Sequence, residues 1–381
     1  MGSSLFYLFE SLDIAFLKSI KAVRFTYRPT VQTLQLLHTF REMVNRAIQI
    51  CLAENIKGRL NLRNRIYREF RERYRVQSSC PYSVAEIAWS IVRKHRRWQR
   101  KPVAQRLMLK MDSASYSLNN GMLSLPHRKN GRIRIPLTYG DYQRLFLADP
   151  GLKRGSLTMT NVTIIIAFSK ESVPVEPLSK VGIDVNEKSA VLSDGSRYDL
   201  SEVARLHTEY WVRRRRFYRK HPHDERLKKK FSVNSREKAR VKQLLNRVSK
   251  TIVQNARDKK QAIVLERLKG IRFANMRGNG KSRASRRRIA LWPFRQLQHQ
   301  IDYKANWEGL RVEYVSGAWT SKTCSICGNI NRGLKLSDRS WRCPCGATHD
   351  RDYNAAQNIV ARSKIECLPM VLAEAQSDVK L

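Results

Sequence analysis

Two short apolar runs in this chain end on acids. Val181-Gly182-Ile183 runs into Asp184, and Ala262-Ile263-Val264-Leu265 runs into Glu266. Runs of four or so β-branched and aliphatic residues read as buried strands, so a sheet can present both carboxylates together at its strand ends. A third acidic position lies behind a cluster of thiols. Cys324, Cys327, Cys343 and Cys345 precede Asp350-Arg351-Asp352, and Asn354-Ala355-Ala356-Gln357-Asn358-Ile359-Val360 then reads as a helix. Either Asp350 or Asp352 could supply the third carboxylate from that helix's first turn.

Acids gathered in this way are notable because the chain has few of them, 32 against 74 lysines and arginines. Crowding three carboxylates raises their proton affinities, and a bound dication reverses that. Magnesium is a hard ion that prefers oxygen ligands. Two divalent ions held by such acids can activate water and neutralise charge on both oxygens of a phosphodiester undergoing hydrolysis. Taken singly, Asp184 reads as a turn or cap residue and Glu266 as half of a surface ion pair with Arg267; their order and context point instead to a nuclease.

The charge balance agrees. A formal charge of +42 over 381 residues repels itself unless a polyanion is bound, so nucleic acid is the expected partner. The length allows two or three domains. Seven cysteines, four of them in one window, fit metal binding in a reducing compartment better than a disulfide framework. No apolar run approaches the roughly 20 residues of a membrane span. Glu10 and Asp13 interrupt the first apolar stretch, which argues against a secretory leader, and Phe6 fails the myristoylation pattern. The chain reads as intracellular; the resemblance described below implies the cytoplasm of a prokaryote, with nucleoid association when bound to DNA.

Val23 to Pro29 alternates like one strand. Helices are expected from Leu34 to Cys51, Leu62 to Tyr74 and Val84 to Trp98, each with basic side chains opposite an apolar face. Short strands follow at Met122–Leu125, Gly131–Pro136 and Thr158–Phe168, with Lys129-Asn130-Gly131 as a turn. Val181 to Ser193 reads as a hairpin. Residues 205–260 are helical, carrying 20 Lys or Arg against five acids, which makes them a basic surface. Residues 267–288 form a cationic, glycine-containing loop and a candidate gate. Trp292 to Gly309 returns to helix, and Val312 to Ser316 to strand.

Cys324-Ser325-Ile326-Cys327 has the spacing of a zinc knuckle, and the gap to Cys343 suits a ribbon. Cys343-Pro344-Cys345 is one residue shorter than the usual pair, leaving His349 as a substitute ligand and a metal-free ribbon as the alternative. The densest basic stretch, Arg213, Arg214, Arg215 and Arg216 followed by Phe217 and Tyr218, could hold nucleic acid by charge and stacking. It could equally be a solvated helix face.

The chain resembles the TnpB family, nucleases encoded by insertion sequences, and more distantly the compact type V CRISPR effectors. The resemblance rests on Phe25-Thr26-Tyr27-Arg28-Pro29-Thr30, Gly182-Ile183-Asp184-Val185-Asn186, Leu265-Glu266-Arg267-Leu268, Tyr303-Lys304-Ala305, Thr320 to Gly328, and Asp350 to Ile359. It is most specific over residues 180–360. It implies an α/β RNase H-like (RuvC) nuclease domain with an inserted zinc ribbon, preceded by a β-barrel wedge domain carrying a helical recognition insert. The implied division is 1–20 N-terminal extension, 21–30 and 102–175 wedge, 31–101 recognition domain, 180–320 and 347–362 nuclease, 321–346 zinc ribbon and 363–381 tail. By the family pattern Asp352 rather than Asp350 completes the triad. Asp184, Glu266 and Asp352 would hold two Mg2+, and Cys324, Cys327, Cys343 and Cys345 a Zn2+. The implied activity is RNA-guided cleavage of target DNA beside a short adjacent motif, with a guide RNA as partner. The alternatives are an RNA-guided repressor that no longer cuts and a strand-transfer transposase.

Overall fold

The structure, a computed structural model, describes residues 17–95, 101–127, 131–234, 236–268, 292–335 and 337–368. It divides into two compact units, Lys18–Lys170 and Glu171 onward. The expected gate at 267–288 lies almost wholly outside the described residues. So do the Lys129-Asn130 turn, Arg96, Arg97 and Trp98, residues 1–16, and the tail from 369.

In the first unit, β1 (Leu17–Thr26) leads into α1 (Val31–Ala53). Pro29 cannot extend the ladder, and Thr30 caps the helix by accepting the Thr33 N–H. The strand therefore begins earlier than expected, inside the supposed extension, and stops at Thr26. Helices α2 (Arg59–Tyr74) and α3 (Cys80–Val92) pack with α1 through Leu62, Ile66, Phe70, Val84 and Ala88, all fully buried. The expectation of a helix to Trp98 is corrected: α3 starts four residues earlier, with Pro81 in its first turn, and stops before the basic cluster.

The strands β2 (Met108–Met111), β3 (Ser117–Asn119), β4 (Met122–His127), β5 (Gly131–Pro136), β6 (Lys153–Thr160) and β7 (Thr163–Ser172) follow, with a short helix α4 (Asp141–Ala148) before β6. They form one sheet ordered β1-β7-β6-β2 and another ordered β3-β4-β5. An antiparallel bridge, Thr26 with Thr138, links them. The single strand expected over Thr158–Phe168 is two. Thr160 Oγ1 accepts the Thr163 N–H at 3.1 Å, folding Asn161-Val162 into a turn.

The second unit is built on a five-stranded sheet. Its strands are β8 (Ser179–Val185), β9 (Ser189–Leu192), β10 (Arg197–Asp199), β11 (Gln261–Glu266) and β12 (Val312–Val315), in the order β10-β9-β8-β11-β12. β8, β9 and β10 are an antiparallel meander; β11 runs parallel to both β8 and β12. That is the arrangement of the RNase H-like fold. Three helices, α5 (Ser201–Lys220), α6 (Glu225–Asn234) and α7 (Glu237–Asp258), occupy the excursion between β10 and β11, and α8 (Phe294–Trp307) that between β11 and β12. Ile183, Ile263 and Leu265 share a core with Leu206, Leu245, Ile252, Leu297 and Ile301 from these helices. Val264 faces the other way, toward Val315 and Ile359. A small hairpin of β13 (Ser340–Arg342) and β14 (Thr348–Asp350) follows, and α9 (Arg351–Ala361) closes the fold over that second face. Among the described residues no helix is long and apolar enough to cross a membrane.

Candidate active site and thiol cluster

Side chains alternate across a sheet, so Asp184 faces opposite to Ile183, as Glu266 does to Leu265. Leu265 pairs with Ile183, and one step further along the parallel ladder Glu266 comes abreast of Asp184. Neighbouring strands lie about 4.8 Å apart, so the two carboxylates emerge side by side on the face that α9 covers. Gly182 sets how closely that helix lies. A Cβ there would stand 2.4 Å from the Ala356 carbonyl oxygen and 2.8 Å from Val360 Cγ2. With Ala356 pressed on Gly182, Asp352, one turn earlier on α9, is brought over Asp184.

Asp184 and Asp352 are both buried. Burial, then the charges of Glu266 and Asp352, push the Asp184 carboxyl up to about 8, while Asn186 and Arg351 pull the other way. Burial also raises Glu266, partly offset by its hydrogen bond from Thr320 and by Arg362. Asn186 Nδ2 donates to Asp184 Oδ2 at 2.7 Å, and Thr320 Oγ1 donates to Glu266 Oε1 at 2.7 Å. Gly317 lets the following loop approach Glu266, since a Cβ there would sit 3.0 Å from its carboxyl carbon. Arg339, exposed, reaches to 3.6 Å of Asp352 Oδ2. Arg351 Nε stands 4.0 Å from Asp352 Oδ1. With Arg339 and Arg362 it offsets the repulsion only in part, for burial and the neighbouring acids still raise Asp184. Such oxygens are a donor set suited to a hard dication.

Asp350 takes a different part. Its carboxylate caps α9, accepting the Asp352 and Tyr353 N–H groups at 3.0 and 2.9 Å, and it meets Arg197 at 3.1 Å on the surface. An acid so engaged points away from the cluster.

The four thiols converge, their sulfurs all within 4.8 Å of one another. Cys324 and Cys345 stand 3.9 Å apart, Cys327 and Cys343 3.5 Å. A tetrahedron with metal–sulfur distances near 2.3 Å has edges of about 3.8 Å, so the spacing suits one zinc ion. Pro344 does not prevent this, because both knuckles end on a left-handed glycine, Gly328 at φ 77° and Gly346 at φ 92°. Burial opposes ionisation of Cys324, yet the Cys327 and Ile326 N–H groups and His349 bring it down to about 6. His349 stands outside the sulfur group: its Nε2 meets Cys324 Sγ at 3.0 Å and its ring lies against Trp341.

Sequence reasoning did not find what fastens the two sites together. Asn354 and Asn358, one turn apart on α9, are buried. Asn354 Nδ2 donates to Thr323 O at 2.7 Å, and its Oδ1 accepts the Ser325 N–H at 2.9 Å. Asn358 Nδ2 donates to the Thr320 and Thr323 carbonyls at 2.8 and 2.6 Å. Two buried amides at helical spacing beside a loop were the available signal. Arg339 was missed as well, since nothing local marks it among the other arginines.

The basic stretch occupies the second half of α5. Arg213, Arg215 and Arg216 are exposed. Arg214 is engaged inside the protein, paired with Glu237 Oε2 at 2.5 Å, while His207 Nδ1 meets Glu237 Oε1 at 2.8 Å. Phe217 stacks on Phe231 of α6 with ring centroids 4.4 Å apart. Tyr218 is half-buried with Lys228 Nζ 5.8 Å from its ring. The exposed arginines therefore present charge, and the phenylalanine belongs to packing between helices.

Comparison with known proteins adds to this geometry. The family model described as Cas12f1-like, TNB domain, matches residues 294–359. A TnpB-like protein of Methanocaldococcus jannaschii is 34% identical over 253 residues, covering 61% of this chain and 87% of that protein. A putative RNA-guided DNA endonuclease of Streptomyces pristinaespiralis is 40% identical over 103 residues, 26% of this chain and 24% of that one. Among solved structures, a Cas12f1–sgRNA–target DNA complex has a protein chain similar in fold, with a TM-score of 0.56 at 15% identity over 86% of this chain and 81% of that one.

Proposed function

This chain belongs to the TnpB family, and from that premise we propose that it is an RNA-guided DNA endonuclease that hydrolyses target DNA at the single site formed by Asp184, Glu266 and Asp352. The observation that carries the reading is the convergence of the acids: Glu266 comes abreast of Asp184 on adjacent strands, α9 lies close on Gly182 with Asp352 one turn away, and Asp184 and Asp352 are buried. Two magnesium ions held by the three side chains would neutralise the phosphate and activate water. Asn186 fixes the rotamer of Asp184, and Thr320 fixes that of Glu266, so that each carboxylate keeps an oxygen directed into the cluster. Arg339 lies within reach of Asp352 and supplies positive charge at the site's rim. Cys324, Cys327, Cys343 and Cys345 hold a structural zinc in this reading.

The remaining parts follow the family. The sheets at 21–30 and 102–175 serve as a β-barrel wedge, the helices at 31–101 as a recognition domain, and 180–320 with 347–362 as the nuclease, interrupted by the ribbon at 321–346. A guide RNA pairs with one DNA strand while the protein reads a short adjacent motif. Exposed Arg213, Arg215 and Arg216 contribute phosphate contacts, which makes RNA retention fall steeply with salt.

The test is to co-purify the RNA, change its guide segment, and challenge plasmids with magnesium. Retargeted cutting that Asp184→Ala abolishes, with RNA still bound, is the expected result. Retargeted binding without cutting would make the chain a repressor, and strand joining would make it a transposase.

A further inference from the structure

We propose that Trp319 is a positioning residue, a stacking platform for one unpaired base of the DNA strand delivered to the carboxylates; this rests on the nuclease reading above. Trp319 has φ 65°, in the left-handed region that bulky residues rarely adopt. Its carbonyl accepts the Lys322 and Thr323 N–H groups, both at 2.9 Å, and the Thr323 hydroxyl at 3.0 Å, so a tight turn imposes the conformation. Glycine would occupy this position without strain. Burial does not compensate the strain either, for the side chain is 54% exposed.

The place of the turn gives the strained tryptophan its meaning. The next residue, Thr320, is 4% exposed and donates its hydroxyl to Glu266. Gly317, two residues earlier, lies against the same carboxylate. Consecutive Cα atoms are about 3.8 Å apart, so the tryptophan stands one residue from the group that fixes Glu266. Lys322 Nζ, which donates to the Arg332 carbonyl at 3.1 Å, sits 5.7 Å from the ring centroid, within cation–π range. Strain kept beside a reactive cluster is characteristic of functional positions. Stacking on an aromatic ring tolerates any base, as a nuclease needs when the RNA and not the protein chooses the sequence. Paired bases are already stacked on their neighbours, so the platform acts on an unpaired strand.

The test uses the full chain with its RNA and a matched DNA target at saturation. Trp319→Ala and Trp319→Gly are each expected to slow single-turnover cutting about ten-fold with target affinity changed less than two-fold, and Trp319→Phe to stay within two-fold of wild type. A purely structural role predicts the reverse for glycine, which relieves the backbone. An abasic nucleotide moved along the cut strand should slow wild type about ten-fold at one position and slow Trp319→Ala no further there. Independently of cutting, 5-iodouracil scanned through that strand should photocrosslink to Trp319 in an Asp184→Asn complex. Wild type that binds but never cuts would remove the nuclease reading, leaving the crosslink to decide the platform. Wild type that cuts, with Trp319→Gly equally fast or no sensitive abasic position, overturns the platform alone.

Discussion

Replacing Asp184 by asparagine keeps the side chain's shape and removes a charge that the fold holds at a cost. Burial and the neighbouring carboxylates carry this carboxyl from 3.8 to about 8. A gap of about four pH units, at about 1.4 kcal/mol each, sets a ceiling near 6 kcal/mol. At pH 8 the folded carboxyl is half ionised and most of that difference is already lost, so the expected gain for Asp184→Asn there is on the order of 5 kcal/mol. In a unit of this size that corresponds to roughly 10–20 °C in melting temperature. The sign follows from which form the fold prefers. A raised carboxyl contributes stability that is complete below its unfolded value near pH 4 and is lost as pH rises through about 8. Wild type should therefore lose stability relative to Asp184→Asn between pH 4 and pH 8, and the two should converge below pH 4. Magnesium should restore wild type at pH 8 and do little for the variant, which should also fail to cut DNA. The assay is calorimetry across that range in zinc-replete buffer without magnesium, because a chelator would also strip the thiols. Parallel melting curves for the two proteins, or an asparagine variant less stable at pH 8, would refute the reasoning.

Gly182→Ala drives a methyl to 2.4 Å from the Ala356 carbonyl; it should cost about 1–3 kcal/mol by denaturant unfolding and reduce cutting far more than RNA retention, because α9 carries Asp352. Asn354→Ala and Asn358→Ala remove donors that share the Thr320 and Thr323 carbonyls; each alone should cost about 1 kcal/mol and the pair more than the sum, since only the double variant leaves both carbonyls without an amide donor. Cys345→Ser should lower zinc content well below one ion per chain by elemental analysis and speed amide hydrogen exchange from Thr320 to Asp350, whereas His349→Ala should leave zinc content unchanged.

The acids on β8 and β11 were legible because apolar β-branched runs identify buried strands, and the last residue of each run is fixed by the chain. The choice between Asp350 and Asp352 was not legible from position: both lie at the start of a helix, and only the fold makes one the cap and the other a buried member of the cluster. Strand β10 was hidden because Arg197-Tyr198-Asp199 is a short edge without an apolar pattern. The basic run on α5 was visible as charge, yet nothing local distinguishes Arg214, drawn inward by Glu237, from the exposed arginines beside it. Phe217 read as a stacking residue because its partner Phe231 lies on another helix.

The thiol-bearing segment and the five-stranded sheet are mechanically one device. After β12 the chain leaves the sheet, passes Gly317 and Thr320 against Glu266, builds the first thiol knuckle, and returns through β14 into α9 with Asp352. Asn354 and Asn358 then bind that helix back onto the outgoing loop, at the Thr320 and Thr323 carbonyls and the Ser325 N–H. The same loop thus supports Glu266 with its hydroxyl and α9 with its carbonyls, so Glu266 and Asp352 are positioned by one short segment. Anything that loosens the thiol cluster, which begins one residue past Thr323, reaches both carboxylates. Zinc loss should accordingly lower cutting before it unfolds the sheet, whose core of Ile183, Ile263, Leu245 and Ile301 lies on the opposite face.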